Sequence, residues 1–448
     1  MKSIVRRLPL ALLSLSITGL IIASGQLLAR HVQVQTGQGA VPVPDVASAY
    51  AEEPAKTGRF NATLTYTSLD APGNGEATAR VTWDDAWFSQ DERAYNGQLA
   101  HTASVLAALA YSESGYYQAG ASCPPYMENA LVKLGFSDIS TDSYQYRSEV
   151  VDEVLNLMTA QADGVAYTIA RKHLAPATGR DGAQAGSTLT ADSASAGAAS
   201  PAEDPPTSRD LILVSVRGSY GSEWLSNLDL SSDESGDHGG YVRAAREIEH
   251  EVARWAMRSR ADGAEVSVLL VGHSRGGAVA NLVAAELDNA REDSELDGMR
   301  VYGYTFASPA TTLHAEARDE RYGNIFNVIN PSDIMPYLPL SSWGYERYGV
   351  DVSLPVIDDE DFGSRRSAME EAYERSVGVA CAADPEDARA AQAVCDDIAV
   401  HIPSAAELVS PAGAAAVFGS AAAHVDPVRM LCSHYPSTYA AWLEVLAE

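Results

Sequence analysis

Basic residues are scarce in this chain. Lys and Arg total 31 against 60 Asp and Glu, a formal charge of -29 over 448 residues. That deficit argues against phosphate backbones and anionic membrane surfaces as main partners, since both would be approached against like-charge repulsion, and no nucleic-acid partner is expected. Self-repulsion of this size fits a soluble protein that stays monomeric. Cysteine is scarcer still, with four residues. None lies near the N-terminus, which excludes a lipid-modified cysteine anchor there, and none stands with histidine at a zinc-ligand spacing. Neither Asp229, Asp233 and Asp237 nor the run Asp358 to Asp361 has the spacing of a calcium loop. No metal and no cofactor are therefore expected. Internal repeats are absent as well.

What is present organises the chain. Lys2, Arg6 and Arg7 precede an apolar run from Leu8 to Ala23, and Ala23-Ser24-Gly25 offers small residues for cleavage. Residues 1–25 thus read as a secretory signal, or as an uncleaved anchor if the apolar run is extended to Ala29. Either way the body of the protein is expected outside the cytoplasm, secreted or membrane-anchored. The even cysteine count agrees with export. Cys381 and Cys395 sit in one acidic, helical-looking segment and are expected to close a short loop, with Cys123 and Cys432 as the other pair; two other connectivities satisfy the count equally. Residues 26–58 read as a linker and 59–448 as one catalytic domain. Two insertions interrupt it: an Ala-, Gly-, Ser- and Pro-rich stretch, 175–208, too poor in apolar residues to fold, and an acidic Ala-rich stretch, 356–424, expected to form helices over one edge of the core.

Strands and helices alternate along the remainder. Ala62 to Thr67 alternates like a strand, and Tyr95 to Ala110 and Val150 to Met158 have helical spacing and read as packing elements. Val165 to Ala170, Leu211 to Val216, Val266 to Val271, Val301 to Phe306 and Ile325 to Ile329 are strand-like, and Tyr241 to Ala256 marks an amphipathic helix. The pattern predicts an α/β fold with a mostly parallel central sheet covered by helices on both faces, plus an N-terminal helical part.

The most informative stretch joins one of these strands to a helix-forming run through Gly272-His273-Ser274-Arg275-Gly276. A Gly-x-Ser-x-Gly sequence between a strand and a helix is the context of a nucleophile elbow: the turn is so sharp that side chains two residues either side of the serine would collide, and Gly272 and Gly276 remove the collision. Ser274 is the candidate nucleophile. A serine needs a base, a group that orients the base, and donors where negative charge develops. In an α/β-hydrolase fold these follow in the order Ser, acid, His. Asp333, in the loop after the strand Ile325 to Ile329, is the candidate acid. His434, ahead of an amphipathic terminal helix, is the candidate base, with His424 and His401 as alternatives; His314 breaks the order. His273 reads as structural. For the oxyanion, one donor is the N–H of Arg275 and the other is that of Ser219, in the Arg217-Gly218-Ser219 turn that ends an earlier strand.

Five blocks then carry a resemblance: Val-Arg-Gly-Ser with Glu223-Trp224-Leu225, Gly-His-Ser-Arg-Gly-Gly, Tyr304 to Pro309, Asn330 to Pro339, and the terminal Ser-His-Tyr. In this order they resemble the class 3 lipases, the fungal-type triacylglycerol lipase family, from about Leu211 to Leu443. Trp87-Phe88 and Tyr95-Asn96 are similar to the N-terminal parts of bacterial members. The resemblance implies an α/β-hydrolase fold, a Ser274–His434–Asp333 triad, an oxyanion hole at Ser219 and Arg275, and a lipid or small ester substrate met in transient contact with a lipid interface. Two departures stand out. Arg275 replaces the apolar residue or Gln frequent after the nucleophile, and Ser226 to Gly240, where such lipases carry an amphipathic lid, is acidic and polar. The expected function is an exported lipase or esterase. The alternatives are another acyl-transfer hydrolase on the same triad (phospholipase, thioesterase or amidase) and a non-catalytic surface protein.

Overall fold

The computed structural model describes residues 56–68, 70–72, 75–118, 123–142, 165–175, 208–218, 236–237, 239–291, 296–402, 404, 419–420 and 426–447. The signal-like segment, the linker up to residue 55, the helix expected at 150–158, residues 176–207 of the first insertion, Ser219 and His424 lie outside them.

Strands β1 (Arg59–Thr67) and β2 (Glu76–Asp84) form an antiparallel hairpin. In β2 every second residue, Ala77, Ala79, Val81 and Trp83, is buried, the period of a strand with one face on a core. Helices α1 (Gly97–Gln118) and α2 (Tyr126–Lys133) follow. Among the described residues the main sheet has seven strands lying side by side in chain order: β3 (Ser137–Asp142), β4 (Tyr167–Leu174), β5 (Ser208–Val216), β6 (Ala264–His273), β7 (Arg300–Phe306), β8 (Ile325–Ile329) and β9 (Val350–Ser353). β3, β4 and β5 pair antiparallel, and β5 through β9 pair parallel. Helix α3 (Gly239–Ala261) links β5 to β6, and α4 (Arg275–Arg291) links β6 to β7, the crossovers a parallel pair requires.

Residue parity decides which layer each strand side chain meets. Leu211, Leu213, Leu269 and Val271 join a core with Leu99 and Leu106 of α1 and with Tyr439 and Trp442 near the C-terminus. Their neighbours Ile212, Val214, Val268 and Leu270 face the opposite way, into a core with Ile248 and Val252 of α3 and Val279 and Val283 of α4. With both faces covered, β5 and β6 read as unbroken apolar runs. This mostly parallel, doubly covered sheet is the α/β-hydrolase architecture.

Helices α5 (Phe362–Val377), α6 (Asp387–His401), α7 (Pro427–His434) and α8 (Pro436–Leu446) follow. α8 packs against both α1 and α5. α5 and α6 fall in the acidic stretch, and α6 builds a third apolar cluster with Ile334, Leu338 and Leu340. Among the described residues, no helix is long and apolar enough to cross a membrane.

The expected disulfides are not formed; all four cysteines are free. Cys395 lies in the α6 cluster, whereas Cys381 packs against the core under α1 and α8, so two residues close in sequence belong to different apolar layers. Cys123 precedes α2 with Glu113 of α1 as its neighbour, and Cys432, on α7, has Asp70 and Cys381 nearby.

Candidate active site

β6 ends at His273 and α4 begins at Arg275, so the strand-to-helix turn falls on Ser274 alone. Its φ is 57°, in the left-handed region that residues other than glycine seldom occupy. The turn is pinned by the Ser274 N–H, which donates to the Phe306 carbonyl at 2.8 Å, and by the Ala278 N–H, which donates to the Ser274 carbonyl at 3.0 Å. Both flanking glycines are sterically required. A Cβ on Gly272 would stand 2.2 Å from the Gly276 carbonyl oxygen, and one on Gly276 would stand 2.3 Å from the Val216 carbonyl oxygen. The second clash shows that the start of α4 lies directly against the end of β5, where the Arg217-Gly218 turn begins. Arg275 is the first residue of α4, so its N–H stands at the positive end of that helix.

Asp333 comes from the turn after β8, closed by its own N–H donating to the Asn330 carbonyl at 2.9 Å. Parallel strands deliver such loops at their carboxyl ends, the edge of the sheet where β6 delivers Ser274. His434 is the last residue of α7. Its Nε2 lies 3.0 Å from the Ser274 Oγ, and its Nδ1 lies 2.8 Å from Asp333 Oδ2. Asp333 is fully buried, and its carboxylate also accepts from the Tyr439 hydroxyl at 2.8 Å and the Met335 N–H at 2.9 Å. Burial, with the Asp333 carboxylate beside it, keeps the Tyr439 phenol well above its usual range, hence neutral and able to donate. The Tyr439 oxygen in turn accepts from the Asn330 N–H at 3.1 Å, and the Asn330 side chain donates to the Ser433 carbonyl at 2.8 Å. The loop after β8 and the α7–α8 corner are therefore stitched together around the carboxylate.

Of the sequence candidates, Ser274, Asp333 and His434 come together in one hydrogen-bonded chain. His401 does not join it: it is exposed at the end of α6 and bonds the Asp397 carbonyl. His314 lies near Tyr348 and Asp237. His273 is buried as expected, yet its contacts are with the site: Nδ1 lies 2.9 Å from the Tyr111 hydroxyl and Nε2 lies 2.7 Å from the His434 carbonyl oxygen. Sequence reasoning missed Tyr111, on α1, which lies one residue beyond the helix read from Tyr95 to Ala110, and missed the contact of Tyr439, on α8, with Asp333. Gly218 packs tightly here too, since a Cβ on it would stand 2.0 Å from the Tyr111 hydroxyl.

An imidazole between a serine hydroxyl and a buried carboxylate can take the hydroxyl proton while the carboxylate holds the ring and stabilises the resulting cation.

Residues 213–343 match the family model described as Lipase (class 3). A curated relative, secreted mono- and diacylglycerol lipase 1 of Fusarium solani, is 28% identical over 146 residues, which are 31% of this chain and 42% of the relative. The chain thus aligns with less than half of that relative's length. Among solved structures, the Rhizomucor miehei lipase propeptide complex matches with a TM-score of 0.35 at 18% identity, covering 57% of this chain and 67% of that one. A lipase from Rhizopus microsporus var. chinensis matches with a TM-score of 0.34 at 14% identity, covering 72% and 82%.

Proposed function

We propose that this chain, whose residues 213–343 match the class 3 lipase family model, hydrolyses carboxylic esters of lipids with Ser274 as nucleophile, His434 as general base and Asp333 as orienting acid. The observation that carries the reading is the continuous hydrogen-bonded line from Ser274 Oγ through both nitrogens of His434 to Asp333, at a serine held in an elbow conformation.

In this reading the Ser274 oxygen attacks the ester carbonyl carbon as its proton passes to His434 Nε2. Negative charge grows on the former carbonyl oxygen, where the N–H of Arg275, at the positive end of α4, stabilises it together with that of Ser219. The imidazolium returns the proton to the leaving alkoxide, and the C–O bond breaks. Water then attacks the acyl-enzyme, giving its proton to His434, and the acid leaves as Ser274 recovers its hydrogen. A lipid acyl ester is the proposed substrate class on the strength of the family match and of the acylglycerol lipase from Fusarium solani. That relative's secretion and the signal-like N-terminus support action outside the cytoplasm.

The test is hydrolysis of short- and long-chain p-nitrophenyl esters and of mono- and diacylglycerols, with fluorophosphonate labelling mapped to a peptide. Label on Ser274 and a loss of roughly 10⁴-fold or more in kcat for Ser274→Ala are expected. Undiminished turnover by that variant rejects the nucleophile. Turnover of amides or thioesters in preference to esters rejects the substrate class alone.

A further inference from the structure

His273 carries more than packing. It is the last residue of β6, and strand parity turns its side chain toward the same face as Leu269 and Val271, beneath α1 and α8. There it is 2% exposed and meets three aromatic or imidazole rings. The His434 ring centroid is 4.8 Å away, and Tyr439 and Tyr111 stand edge-on at 5.7 and 5.8 Å.

Its protonation follows from its partners. A carbonyl oxygen only accepts, so the nitrogen 2.7 Å from the His434 carbonyl must carry a hydrogen. The other ring nitrogen then has a lone pair for the Tyr111 hydroxyl at 2.9 Å, which makes His273 the neutral Nε2–H tautomer. Complete burial, and the positive charge His434 acquires, both hold its pKa well below the usual 6.5.

The carbonyl it bonds is a particular one. His434 ends α7, so its C=O is among those a helix leaves without an intrahelical donor. Pro436 lies just beyond and has no N–H to offer. The side chain of His273 fills that role. His434 is thus fixed at two places: its ring by Asp333 and its main chain by the residue adjoining Ser274. Nucleophile and base are tied through His273 independently of the contact they make with each other.

We propose that His273 is a positioning residue for the reaction: its Nε2–H holds the main chain of His434 so that the base faces Ser274, and Tyr111 fixes the tautomer that makes this donation possible. The inference rests on the triad reading above. A neutral His273 also suits turnover, since a second cation 4.8 Å from the His434 ring would oppose formation of the imidazolium.

Three variants test it: His273→Leu, which removes the donor, His273→Gln, whose amide can donate from about the Nε2 position, and Tyr111→Phe. For each, kcat and KM on a soluble p-nitrophenyl ester, the pH profile of kcat/KM, the fluorophosphonate labelling rate and the melting temperature are measured. His273→Leu should lower kcat and the labelling rate by roughly 10²-fold, the scale on which an ångström of misplacement acts, with KM within about twofold. His273→Gln should recover most of the loss, and Tyr111→Phe should lower kcat by roughly threefold to tenfold, the effect of about 1 kcal/mol. The acid limb of the profile should move in His273→Leu and return toward wild type in His273→Gln. A folded His273→Leu protein with kcat within twofold of wild type, or a glutamine variant no better than leucine, overturns the proposal. Should the leucine variant fail to fold, a Tyr111→Phe protein with unchanged kcat and pH profile does so. Ser274→Ala separates the two ideas: if it is active, the triad reading falls, whereas if it is inactive beside a fully active His273→Leu, only the positioning role falls.

Discussion

Three donors from three parts of the chain converge on one buried carboxylate: the ring of His434, the phenol of Tyr439 and the main chain of Met335. A carboxylate without access to water must be satisfied by the protein, and each donor also fixes its direction. Asp333→Asn keeps the shape but presents an amide where the imidazole N–H needs an acceptor, so kcat should drop by roughly 10⁴-fold with little change in KM. Tyr439→Phe removes one donor and leaves the buried Asn330 N–H without its acceptor. That variant should lose about 1–3 kcal/mol in urea unfolding and about tenfold in kcat. A denaturation midpoint equal to wild type would count against the stitching role assigned to this hydroxyl. At the elbow, Gly276→Ala has no such graded outcome: its methyl meets main-chain atoms of Val216 and Arg217, which cannot move aside without parting β5 from α4. Misfolding, read as loss of soluble protein or of near-ultraviolet circular dichroism, is expected.

At the scale of elements, what could be read from sequence divides by the strength of the burial pattern. β5, β6, β7 and β8 are buried on both faces, and their runs, rich in aliphatic and aromatic residues, announce them. β2 is a fully alternating strand, but two of its four inward residues are alanines, Ala77 and Ala79, whose small hydropathy hides the period. β3 has one apolar residue, Ile139, and β9 is a four-residue edge strand that is mostly exposed. Neither gives a periodic signal, which is why the two outermost strands of the sheet are not legible in the sequence. Ser274, Asp333 and His434 were legible because their chain order follows from the topology. Tyr111 was not, since its role depends on α1 crossing beneath the end of β6, a contact between residues 162 positions apart. The α1–α2 contact holds a further feature of this kind, for Glu113 and Glu128 face each other in the core. Burial, together with the neighbouring carboxyl, pushes Glu113 well above the usual carboxylate range, so it is neutral in the fold. The unfolded chain releases that proton above its ordinary pKa, so the folded state loses stability as pH rises from there toward the raised value. Glu113→Gln should therefore raise the melting temperature by a margin that widens between pH 6 and pH 9. A constant margin would disprove this origin.

The whole molecule meets the opposite pressure on the acid side. His101, buried in α1, is lowered by burial from 6.5 to about 4, and His273 lies well below 6.5 as well. Both are neutral in the fold, whereas the unfolded chain takes up protons below 6.5, so stability falls as pH drops from 6.5 toward 4. For His101 alone the difference corresponds to roughly 3 kcal/mol. Thermal unfolding at pH 7 and pH 5 should show the loss, and His101→Leu should flatten it. The charge of -29 adds a long-range repulsion, so added salt should raise the melting temperature near neutral pH, by about 2–4 °C for each 1 kcal/mol of repulsion it screens. The wide separation of the proposed reacting groups also sets a timetable. Ser274 precedes His434 by 160 residues, and α8, which anchors the corner that carries His434, follows it at once. While a nascent chain lengthens from its N-terminus, the elbow can fold long before any base exists to activate it. On the proposed roles, a chain that stops short of α7 carries a nucleophile without its base, and competence arrives in one step, when α7 and α8 dock.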